Sequence, residues 1–164
     1  MRMTFEKDAW YGPQGHEPRL DLTSVSSRDL RWYCFLGAWR IEHGTTDISP
    51  PWGWTPLFDA FYTVLYVMEF ARTGTERVQV GFTENDERIR LKHRGDDLVL
   101  SPTYTQAEIT CPTAEFTDAG RDFIQRELGG LVARHPALAL NPVVRQLTDE
   151  AGLTLAGGTE RPGP

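Results

Sequence analysis

Four cations recur at every second position of the run Arg88-Ile89-Arg90-Leu91-Lys92-His93-Arg94. That period belongs to a β-strand, so Arg88, Arg90, Lys92 and Arg94 share one face while Ile89, Leu91 and His93 share the other. Arg77, one strand earlier, is expected opposite Arg94 on the same face. Such a concentration of positive charge is a local asymmetry in a chain of net charge −6. Its chemistry is anion recognition, and the surface it implies is one for an acidic protein partner. The same pattern also describes a solvated antiparallel face whose charges discourage edge-to-edge pairing. Asp97 alone breaks the sign and is expected beside Arg94.

A second set of residues suggests a different chemistry. Trp52, Trp54, Tyr62 and Tyr66 are placed to line a cavity between a helix and a sheet, with Glu69 or His93 as its polar group. Four of them have a plainer role as well. Trp52 and Trp54, set among Pro50-Pro51 and Pro56, suit a plug over the end of a helix. Glu69 suits an ion pair with Arg72 three residues on. His93 suits a satisfied core histidine at a sheet edge.

No assembled catalytic set accompanies these groups. His43 has Glu42 and Asp47 nearby, but strand alternation sends neighbours to opposite faces, so no metal triad is expected. Glu84-Asn85-Asp86-Glu87 lacks the glycine and ligand spacing of a calcium loop and is expected to be a turn. Ser24, Ser26, Ser27 and Ser101 lack the strand–turn–helix setting of a nucleophile, and no glycine-rich phosphate loop exists. The reading leans away from an enzyme and implies no cofactor or metal.

The elements that must position these residues begin with a helix. Trp54-Thr55-Pro56 reads as a helix start, with Thr55 as cap and Pro56 in the first turn. Leu57–Met68 is apolar on nearly every side, which implies burial on more than one side, and Gly74 is the stop. After it, Val78, Val80 and Phe82 alternate with polar residues. A turn at Asn85-Asp86 would pair Phe82 with Ile89, Val80 with Leu91 and Val78 with His93. A second turn at Gly95-Asp96 sets His93 against Leu98 and Leu91 against Leu100. Tyr104–Cys111 reads as a fourth strand. A long helix over about residues 114–134 follows, then a short one capped by Asn141 with Pro142 behind it. Ahead of the central helix, strands are expected at Arg2–Phe5, weakly at Leu20–Val25, at Asp29–Trp39 and at Arg40–Ser49.

The 164 residues suit a single α+β domain over 1–155, with a mostly antiparallel sheet, a buried central helix and C-terminal helices packed on one face. Residues 156–164 are expected to be disordered. The start has no apolar core of a signal peptide, and Cys34 and Cys111 are isolated, so a cytoplasmic setting is expected, with both thiols as small buried groups. The net charge and the lack of aromatics on the cationic face argue against nucleic acid, and the charge also argues against an anionic membrane.

Several short segments carry a resemblance. They are Gly37–Trp39, Trp54-Thr55-Pro56-Leu57-Phe58-Asp59, Phe82-Thr83-Glu84-Asn85, Arg94-Gly95-Asp96 and His135-Pro136. With the layout, size and acidity, they resemble small immunity proteins that bind and neutralise bacterial toxins, and uncharacterised small domains of high-GC bacteria. The resemblance implies a non-catalytic binding protein, an immunity-type inhibitor of a partner protein, and transfers no functional residue. The alternative is a small-molecule-binding protein or enzyme built on the aromatic pocket.

Overall fold

A computed structural model describes residues 1–7, 15–73 and 77–154, with Arg77 described by its backbone alone. The expected tail at 156–164 and the helix stop at Gly74 lie outside the described residues. The fold is α+β, with antiparallel strands and helices around one apolar core. In chain order it runs β1 (Arg2–Glu6), α1 (Ser27–Tyr33), β2 (Leu36–His43), β3 (Thr46–Asp47), β4 (Thr55–Pro56) and α2 (Leu57–Thr73). It continues with β5 (Arg77–Gly81), β6 (Arg88–Arg94), β7 (Asp97–Pro102), β8 (Ile109–Pro112), α3 (Thr113–Arg134) and α4 (Pro142–Glu150).

The strands form two antiparallel sheets rather than one. β2 is the hub of the first, pairing with β1, β3 and β4, while β5-β6-β7-β8 form a meander. Both sheets contribute to the same core. Phe35, Phe58, Phe61 and Phe123 are fully buried there, and each such side chain contributes roughly 1.5–3 kcal/mol of transfer free energy. Gly120 lets α3 approach α2, because a Cβ at that position would lie 2.8 Å from Val64 Cγ1.

The largest departure from the sequence reading lies before α2. Residues 29–39 are not one strand. Ser26 caps a helix: its hydroxyl accepts from the Asp29 N–H at 3.1 Å and donates to the Asp29 carboxylate at 2.7 Å. Phe35 then takes a left-handed conformation, φ +53°, and turns the chain directly into β2. Leu20–Val25 is also no strand. Asp21 accepts hydrogen bonds from Thr23 and Ser24 and holds a local turn.

Thr55 does not cap α2. Thr55 and Pro56 pair with Gly37 and Leu36, and the first N–H of the helix, on Leu57, donates instead to the Phe35 carbonyl at 3.1 Å. The helix buries most of its surface, but Tyr66, Glu69 and Arg72 reach solvent along one edge.

The first hairpin of the meander is shifted by two residues from the expected register. Val80 pairs with Ile89, Val78 with Leu91 and Arg77 with Lys92 rather than Arg94. Phe82 leaves the ladder to pack edge-on against Trp52, 5.0 Å between ring centres, and Asn85 builds a turn by accepting from the Glu87 N–H. A slip of two preserves the face of every side chain. The second hairpin pairs His93 with Leu98 and Leu91 with Leu100, as read, about Gly95 at φ +62°. β8 is shorter than expected, because Tyr104 turns away to donate to the Ile48 carbonyl at 2.8 Å and to pack on Trp52. Asn141 caps α4 as expected, accepting from the Val143 N–H at 2.8 Å.

Candidate functional site

The meander carries its apolar and polar residues on opposite faces. Ile89 and Leu91 are buried against the core with Leu98, Leu100, Ile109 and Cys111. Arg88, Arg90 and Arg94 are exposed on the other face, and Lys92 is half-buried there. The Arg77 backbone pairs with Lys92 in the ladder. Arg94 lies 3.9 Å from Glu108, and Asp97 is its ladder neighbour. Arg88, Arg90 and Lys92 make no ion pair among the described residues.

This outer face is not flat. A concavity of about 710 Å³ opens over it, lined by Gln79, Arg90, Lys92, Ser101 and Glu108 among others. Val99 shares the face by its register with Lys92 and Thr110, yet it is fully buried. Long side chains such as Lys92 lay their aliphatic stems over such a residue while their charged heads stay in water. The concavity is thus lined by the cations Arg90 and Lys92, with Glu108 as an acidic group on one side. None of the residues placed on this face by the register is aromatic.

The six residues of the aromatic set do not meet at one place. Trp52 is buried edge-on to Phe82 and Tyr104. Trp54 is 38 % exposed and Tyr66 47 %. Tyr62 lies beneath the Arg31 guanidinium, 4.8 Å from the ring centre. Glu69 is exposed and accepts from Arg72 at 2.6 Å, which holds its carboxyl below the usual range. His93 packs tilted against Phe70, 4.8 Å between ring centres, and places Nε2 3.3 Å from the Phe70 carbonyl.

A polar group that sequence reading missed lies at the start of α2. Asp59 is 1 % exposed and accepts from Arg31 at 2.8 and 3.2 Å. Burial pushes its pKa up, and Arg31 opposes the rise. Glu84 is close by, and burial raises its pKa to about 7, with help from the Asp59 charge. Arg31, Asp59 and Glu84 come from three separate segments, so no local spacing announces them. The one available signal was an acid, Asp59, inside an otherwise apolar stretch.

Cys34 and Cys111 are both buried and free, and burial pushes their thiols up to about 12 and about 11. Neither is poised as a nucleophile. Among the described residues no group of three or more His, Cys, Asp or Glu side chains is placed to hold a metal ion. No helix among them is long and apolar enough to cross a membrane. Compared with known protein families, characterised proteins and solved structures, the chain shows no significant match.

Proposed function

We propose that this chain is a non-catalytic binding protein whose outer meander face receives an acidic surface of a partner protein. The observation that carries the reading is the row Arg88, Arg90 and Lys92, free of ion pairs among the described residues, with Arg90 and Lys92 lining a concavity. Cations already neutralised by neighbours would have to break those pairs to bind, and these do not. The chain as a whole is acidic, but its remote charges are screened beyond roughly 8–10 Å in physiological salt. The local face therefore decides what approaches. A nucleic acid partner is disfavoured because the face offers no aromatic platform for bases. An immunity-type inhibitor of a toxin is the specific form of this reading that layout, size and acidity support.

The test is affinity capture from the native cells with the wild-type chain and with the triple variant Arg88→Glu, Arg90→Glu, Arg94→Glu. The expected result is one stoichiometric acidic protein, held at low salt, released near about 0.5 M salt and lost by the variant. Retention of the same protein by the variant, or no stoichiometric protein at all, would refute the reading.

A further inference from the structure

One side of the meander ends on an open strand. β5 pairs with β6, and with no strand on its other side among the described residues. The edge strands β1 and β8 lie against α3, whereas β5 packs chiefly on β6. A bare edge is a template for another strand, and natural edges are blunted by shortness, proline, bulges or inward charges. β5 has five residues, the usual strand length, and Val78-Gln79-Val80-Gly81 holds no proline and no charge. Its ladder runs unbroken from Arg77 and Lys92 to Gly81 and Arg88, so no bulge turns it away.

The two faces of this edge call for different neighbours. Val78 and Val80 lie on the core side, in register with Leu91 and Ile89, yet they are half-buried where those partners are buried. Gln79 lies on the outer side, exposed and in register with Arg90, which pairs in turn with Ser101. The concavity follows this row, reaching from Gln79 at the edge across Arg90 and Ser101 to Glu108. A strand laid along β5 would cover the two valines with one set of alternate side chains and overhang the concavity with the other. Neighbouring strands are about 4.8 Å apart, so Arg90 and Lys92 would stand roughly 10 Å from its backbone, a gap that two long side chains close between them. Acids complement the cationic side and apolar groups the valines. A second copy of this chain fits less well, because β5 against β5 would extend the cationic face without neutralising it.

We propose that an extended segment of the partner protein, alternating acidic and apolar residues, adds to β5 as a fifth strand of the four-stranded meander. This mode rests on the reading of the outer face as the partner surface, and it names how the partner is held there.

The test is a titration of the isotope-labelled chain with a blocked peptide of alternating glutamate and valine, read by backbone amide hydrogen exchange. The same peptide with every amide N-methylated keeps its charge but cannot donate to a strand, and is the control. Saturable binding of the first peptide is expected, with slowed exchange at alternate amides of Val78–Gly81. The N-methylated peptide should bind at least about tenfold more weakly, and Arg90→Glu should weaken the first peptide about fivefold. Equal binding of both peptides without slowed exchange at β5 would overturn strand addition and leave the cationic face standing as a partner surface. Binding of neither peptide would also overturn it, and the face is then judged separately by whether the triple variant loses the captured protein. An unchanged affinity in Arg90→Glu would overturn the selection for acids. Slowed exchange at the same amides as the free chain dimerises would assign the edge to a second copy and overturn the proposal.

Discussion

The outer face of the meander and the corner beneath Arg31 put charge to opposite uses. On the outer face, cations stand in solvent around a concavity and are tied to little else. In the corner, charge is buried and constrained by its neighbours: Arg31 holds Asp59, and Thr83 holds Glu84 against the repelling Asp59 charge. An exposed charge costs the fold almost nothing and is available to a partner. A buried charge must be held by neighbours, so removing one of them unsettles the fold itself. Substitutions on the face should therefore change binding and spare stability, and substitutions in the corner should do the reverse.

The largest effect is expected from Arg31→Ala. It leaves Asp59 buried without its one ion partner among the described residues, and about 3 kcal/mol of stability should be lost at pH 8 in chemical denaturation. The loss should shrink in acid, because protonation of Asp59 then relieves the unpaired charge. Equal losses at both pH values would show that Asp59 carries no charge in the folded chain.

A smaller effect is expected from Glu84→Gln, and it has a definite sign. Glu84 binds its proton more tightly in the folded chain, with a pKa raised from 4.5 to about 7. Its contribution is therefore complete below pH 4.5 and is lost as pH rises through about 7. Burial sets most of the loss, the Asp59 charge adds to it, and the Thr83 and Thr55 hydroxyls oppose it. Allowing for partial exposure, about 2 kcal/mol separates the two limits. Glu84→Gln should match the wild type near pH 4 and exceed it by that amount near pH 8. A constant difference between the two proteins across this range would place Glu84 in solvent.

Lys92→Ala should cost about 0.5–1 kcal/mol, because Lys92 lies beside the buried Val99 in the ladder. Arg88→Glu and Arg90→Glu should each change stability by less than about 0.5 kcal/mol. If either were as costly as Arg31→Ala, the face would be part of the structural framework and not a free surface.

The same contrast explains what the sequence made legible. The face of the meander follows from a period of two over seven consecutive residues, and no distant contact can alter that alternation. It survives even the two-residue register shift, because such a shift moves partners without turning side chains over. The register itself was not legible, since Phe82 is drawn off the ladder by Trp52 and Tyr104, both distant in sequence. The helix at Ser27–Tyr33 was hidden by its aromatic composition, although Ser26 and Asp29 form a capping pair that marks its start. The corner was least legible of all, because Arg31, Thr55, Asp59 and Glu84 gather only when three segments and a helix start converge.

The most direct test measures binding and stability together on the triple variant Arg88→Glu, Arg90→Glu, Arg94→Glu, using the acidic protein captured by the wild type. The expected result is loss of that complex with a melting temperature close to that of the wild-type chain. A variant that still binds, or one that loses binding only because it has lost its fold, would contradict the separation of a binding face from a structural corner.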